Sequence, residues 1–78
     1  MRTIRESILA ARAKVSKLRE KQMSLFIDAD YVELMQISNQ LNCIVMYTKG
    51  LSKDEILFAR ETILSADRLA NSYIKQGW

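Results

Sequence analysis

The chain has no histidine, no proline, one cysteine and two glycines in 78 residues, and each shortage removes a class of explanation. Without histidine there is no imidazole to act as general base or to complete a hydrolytic triad. The single cysteine, Cys43, excludes an internal disulfide and a multi-cysteine zinc site. It also lacks an activating neighbour in sequence, so a packed or half-packed thiol is expected there, not a nucleophile. Two isolated glycines, Gly50 and Gly77, cannot build a phosphate-cradling loop. The longest apolar run, Cys43 to Tyr47, is five residues, too short for a secretion signal or a membrane span. With the lone thiol, these absences make a cytoplasmic protein without a membrane partner the expectation.

What remains is helical in pattern. Apolar residues make up 49% of the chain and charged residues 27%, a balance that favours folding over disorder. Residues 1–78 read as a single helical domain, which buries only about two-thirds of its unfolded surface, so small chains of this kind often gain from oligomers or partners. Helix 1 is expected over about 4–25, with Ile4, Ile8, Ala11, Val15, Leu18 and Leu25 on one seam interrupted by Gln22. Thr3-x-x-Glu6 is its capping box. Helix 2 is expected over about 31–49, opened by Asp30-x-x-Glu33, with Leu34, Ile37, Leu41, Ile44 and Thr48 on its seam, widened by Met35 and Val45. Lys49 and Gly50 should close it, the glycine taking a left-handed conformation.

Helix 3 is expected over about 53–76, opened by the box Ser52-x-x-Glu55 and the staple pair Leu51 and Ile56. Its seam is Ile56, Ala59, Ile63, Ala66, Ala70 and Tyr73, and the three alanines leave a shallow surface that a neighbouring helix can approach closely. Gly77 should stop it. Short connections favour antiparallel neighbours. The fold expected is all-α: an antiparallel helical hairpin with a third helix packed on it, a three-helix arrangement that could also dimerise.

Charge is unevenly spread. Residues 1–21 hold seven Lys or Arg against Glu6 and Glu20, a balance of +5, whereas residues 22–78 hold five against seven acids, a balance of −2. Arg5, Arg12 and Arg19 recur at spacing seven on one flank of the helix 1 seam, with Lys14 and Lys21 on the other. Two parallel copies of helix 1 would set like charges together, so an acidic protein surface suits this ridge better. Nucleic acid is the alternative, with Arg5, Arg12 and Arg19 on the phosphates, although the aromatics Tyr31, Tyr47, Phe58 and Tyr73 are dispersed over other segments. Asp28, Asp30 and Glu33 cluster where helix 2 begins, and capping and the helix dipole account for them without a metal. Trp78 reads as a terminal tail or a partner-binding anchor.

Helix 2 carries an amide-rich interruption, Ser38-Asn39-Gln40-Leu41-Asn42, in which Ser38 and Asn42 share a face. Glu33-Leu34-Met35-Gln36-Ile37 precedes it, Ile44, Val45 and Tyr47 follow, and Leu18-Arg19-Glu20-Lys21 lies on the preceding helix. From about Ile8 to Lys49 this pattern resembles the stage-zero sporulation protein E-like aspartyl-phosphate phosphatases of spore-forming bacteria. Those are small helical hairpins with a basic-flanked first helix and a Ser-Gln-Glu-Leu-Asp signature on the second. Ser38 and Leu41 are identical to that signature, and Asn42 stands where the family has an acid.

The resemblance implies a regulatory protein that docks on a response regulator and either removes its aspartyl phosphate or only binds it. On that implication Asn42 and Gln40 would orient water, as a glutamine does in other phosphoryl hydrolyses. Ser38 and Asn39 would position the partner, and Arg12 and Arg19 would meet its acidic surface. No cofactor of its own is implied. Besides the nucleic-acid alternative, a purely structural homo-oligomeric module, such as a homodimer burying the alanine seam of helix 3, is the third expectation.

Overall fold

A computed structural model of the chain describes residues 3–77; Trp78, with its anchor or tail reading, lies outside them. The elements are α1 (Ile4–Glu20), a single 3₁₀ turn (Met23–Leu25), α2 (Asp28–Tyr47) and α3 (Lys53–Gly77), with no strand among the described residues. The fold is all-α, as expected. The helices lie along the long axis of a 40 × 19 × 19 Å rod. Lys21 meets Asp30 and Lys14 meets Glu33, so α1 and α2 run antiparallel. Asp28 meets Tyr73 and Ser38 meets Asp67, so α3 reverses again and runs parallel to α1. The most extensive pairing is between α2 and α3, with α1 laid against both.

Helix starts follow the local chemistry. Thr3 Oγ1 accepts the Glu6 N–H at 3.1 Å. At α3 the box is reciprocal: Glu55 N–H donates to Ser52 Oγ and Ser52 N–H donates to Glu55 Oε1, both at 3.1 Å. The backbone bond from Ser52, then its hydroxyl, holds the Glu55 carboxyl below the ordinary range.

The junction of α1 and α2 differs from expectation in two respects. α1 stops at Glu20, not near Leu25, with Lys21 extended at φ −70°, ψ 136°. α2 starts at Asp28, not after Asp30. One side chain explains both. Asp30 is the third helical residue, not the cap, and its Oδ2 accepts the Ile27 N–H at 3.1 Å and the Lys21 ammonium at 2.7 Å. That clasp and the burial of Phe26 beneath Tyr73, ring centroids 6.2 Å apart, turn the chain out of the helical path. Leu25, expected on the seam, is 59% exposed as a result. The Lys21 ammonium, followed by the Ile27 N–H, holds the Asp30 carboxyl below its usual range. At its far end α2 stops at Tyr47, short of Lys49, and Gly50 takes the left-handed φ of +82° two residues past the extended cap Thr48.

The core is built from Ile8, Ala11 and Val15 of α1, Leu34, Ile37 and Leu41 of α2, Ala59, Ala66 and Ala70 of α3, and Phe26. Ile8, Leu34 and Leu41 are the largest side chains with almost no exposure. The alanines let α3 lie close to its neighbours and are used within the chain, so the seam offered for a homodimer is already covered. Ile4 and Met35, also placed on seams by spacing, are partly exposed instead. Thr62 is an unforeseen member of the interior; its hydroxyl donates to the Phe58 carbonyl one turn back at 2.8 Å, which satisfies it without a partner helix.

Candidate functional site

The amide-rich stretch of α2 does not form one site. Each residue advances about 100° around a helix, so Gln40 and Asn42 diverge by about 200°. Gln40 looks toward α1, where it lines a shallow depression of about 140 Å³ with Ser7, Ala10 and Lys14. Asn42 and Asn39 are exposed on the side of α2 away from α1. Ser38 is 4% exposed, and its hydroxyl donates to Asp67 Oδ1 at 3.0 Å. It therefore belongs to the α2–α3 contact and not to the exterior on which partner positioning was expected. The two amides face separate regions: Gln40 shares its depression with the Ser7 hydroxyl and Lys14, whereas Asn42 lies on the side of α2 away from them.

The basic ridge of α1 divides by flank. Lys14 and Lys21 face α2, and each meets a carboxylate: Glu33 at 3.8 Å and Asp30 at 2.7 Å. Arg5, Arg12 and Arg19 face α3. The guanidinium carbon of Arg12 lies 5.0 Å from the centroid of the Phe58 ring, a cation–π contact that pins the head group but leaves its N–H donors unused. Arg12 and Arg19, with Arg68 of α3, line a groove of about 320 Å³ between α1 and α3, floored by Val15 and Thr62 and edged by Ser16 and Ser65. Glu61 is its one acid. None of these three arginines forms an ion pair among the described residues.

The contrast between the flanks has a physical consequence. The two lysines are held by carboxylates of this chain, whereas the three arginines present planar donor forks to solvent. Such forks suit bidentate recognition of carboxylate or phosphate oxygens, and the serine hydroxyls add short, adaptable donors. Sequence reasoning found Arg12 and Arg19 but missed Arg68, Ser16 and Ser65. Arg68 could not be found from spacing alone, because its place opposite Arg19 follows from the parallel alignment of α1 with α3.

The acidic residues at the start of α2 have structural partners. Asp28 accepts the Tyr73 hydroxyl at 2.6 Å, Asp30 takes Lys21 and the Ile27 N–H, and Glu33 faces Lys14. Hydrogen bonding to Asp28 raises the Tyr73 phenol above its ordinary range. Cys43, expected to be packed or half-packed, is instead exposed on the outer side of α2, because the inward positions of that helix are taken by Leu34, Ile37 and Leu41. Among the described residues no helix is long and apolar enough to cross a membrane. Comparison with known proteins supplies no relative to weigh against these features: no family model, no curated protein and no solved structure matches the chain.

Proposed function

We propose that this protein is a docking module whose α1–α3 groove receives an acidic segment of a partner protein. The carrying observation is the set Arg12, Arg19 and Arg68, gathered on one groove without internal carboxylate partners while the neighbouring lysines are paired. Leu64 lines the same groove and is 56% exposed, and Leu57, seven residues earlier on the same stripe of α3, is 53% exposed. A protein segment with carboxylates beside aliphatic side chains covers both kinds of surface. Nucleic acid suits the groove less well, since Glu61 would oppose a phosphate chain and the nearby ring, Phe58, already lies under Arg12. A response regulator, the partner implied by the sequence resemblance, falls within this class as a protein with an acidic face.

The hydrolytic version of the resemblance has less support, because Gln40 and Asn42 diverge and Ser38 is tied to Asp67. Its readout is the lifetime of a response regulator's aspartyl phosphate, expected to be unchanged on adding this protein. Docking itself is tested by titrating the full chain with a helical peptide carrying glutamates and leucines, with the glutamine-for-glutamate peptide and a duplex RNA as comparisons. Backbone chemical shifts should move at Arg12, Arg19, Leu64 and Arg68, and the triple change R12E/R19E/R68E should weaken binding more than tenfold. Equal binding of the neutral peptide would reject the reading. Preferential, steeply salt-dependent retention of RNA would transfer the groove to nucleic acid.

A further inference from the structure

α1 and α3 turn the same short pattern into the groove between them. Ser16 and Arg19 are three residues apart on α1, as are Ser65 and Arg68 on α3, a spacing that keeps each pair on one helix face. All four line the groove. The interval from Ser16 to Ser65 equals that from Arg19 to Arg68 and that from Arg12 to Glu61. In parallel helices of equal rise, the three pairs therefore stand at successive levels. The groove is graded as a result. Arg12 and Glu61 share the level nearer the start of α1, and beyond them come two hydroxyls and then two guanidiniums, with no acid.

The neighbouring hydroxyls are already spent: Thr62 donates to the Phe58 carbonyl and Ser38 to Asp67. Among the described residues, the side chains of Ser16, Ser65, Arg19 and Arg68 have no such acceptor. Nor does any carboxylate of the chain balance the two guanidiniums, whose like charges repel across the gap.

We infer that this acid-free end of the groove holds a phosphate monoester, carried as phosphoserine by the segment that docks there. The inference rests on the docking reading above and names the group that the partner presents. Two guanidinium forks and two hydroxyls call for about six acceptor positions, against the roughly four of a carboxylate. Three phosphoryl oxygens can take them all. The charge agrees as well: a phosphoserine carries about −1.5 to −2 at neutral pH, enough to balance both arginines, whereas a carboxylate balances one. A phosphodiester has a single charge and two free oxygens, so a nucleic-acid backbone meets the same shortfall as a carboxylate. Glu61 lies two helical turns before Arg68, about 10 Å along α3, and its charge keeps the dianion from sliding toward Arg12.

The full chain is titrated with one glutamate- and leucine-bearing helical peptide in two forms, serine or phosphoserine at its centre. The phosphopeptide is expected to bind at least about tenfold more tightly, with the larger shifts in the guanidinium N–H resonances of Arg19 and Arg68. The exposed double change R19Q/R68Q should bring the two peptides within about threefold of each other. R19K/R68K should lose most of the preference too, since an ammonium keeps the charge without the fork. Unchanged helicity of both variants shows that the fold is intact. Equal binding of the two peptides by the unaltered chain would overturn the inference and leave the docking groove standing, whereas binding of neither would reject both. A preference that survives R19Q/R68Q would also overturn it. So would inorganic phosphate, or vesicles containing phosphatidic acid, binding as tightly as the phosphopeptide, since the anion would then need no docking segment.

Discussion

The Ser38 hydroxyl donates to the Asp67 carboxylate across 3.0 Å, joining the middle of α2 to the middle of α3. Ser38 is buried and Asp67 only half-buried, so removing the hydroxyl leaves a carboxylate that water can partly reach. Ser38→Ala should therefore cost about 1.5 kcal/mol, the lower end of the range for breaking a bond to a charged group. Urea unfolding followed by helicity measures it. An unchanged midpoint would mean that the bond contributes nothing to the α2–α3 contact.

The alanine seam predicts a size-dependent response. Ala66 is fully buried where α3 meets the rest of the bundle. Ala66→Leu should cost about 1–3 kcal/mol through overpacking, and Leu41→Ala should cost about 2–5 kcal/mol through the opposite effect. In so small a domain either loss is a large share of the total. Thermal melts of both variants should show it, and a melting temperature raised by Ala66→Leu would contradict the close approach of the helices.

Acid should loosen the α1–α2 junction. Lys21 and the Ile27 N–H hold the Asp30 carboxyl below its ordinary value of 3.8. Its contribution is complete above that value and is lost as pH falls through the lower folded-state value, where the carboxylate finally takes a proton. Carbon-detected titration of Asp30 should give a midpoint under 3.8. In Asp30→Asn the same pH interval should no longer carry this part of the loss.

Alkali should act at the other end of the same cluster. The Asp28 carboxylate accepts the Tyr73 hydroxyl and raises its titration above the ordinary 10.0. A raised acid is protonated longer in the folded state, so its contribution is intact below 10.0 and declines as pH rises from there toward the folded-state value. Tyrosinate absorbance should therefore show one late-titrating ring, and Tyr73→Phe should abolish it.

Helix chemistry was legible where the deciding groups are neighbours in sequence. Ser52 and Glu55 are three residues apart and cap α3 as expected, and the buried seams of α1 and α3 follow their spacing over most of their length. The end of α1 was not legible, because the clasp that diverts it joins Lys21 to Asp30 and the ring that anchors it meets Tyr73, far along the chain. Ser38 looked like solvent-side polarity for the same reason: its partner lies 29 residues away. Within α2 the spacing puts Met35 beside the inner seam, and it stands at the edge of the α2–α3 contact, 36% exposed and lining a depression with Asp67, Ala70 and Asn71. The arginines were legible as a row, but the groove they line needed the placement of α3.

The arginine groove spans the two helices that begin and end the described chain, α1 and α3. A segment seated across it grips both at once and finds no such groove in the unfolded chain. Its binding would therefore raise the melting temperature, by an amount that grows with ligand concentration.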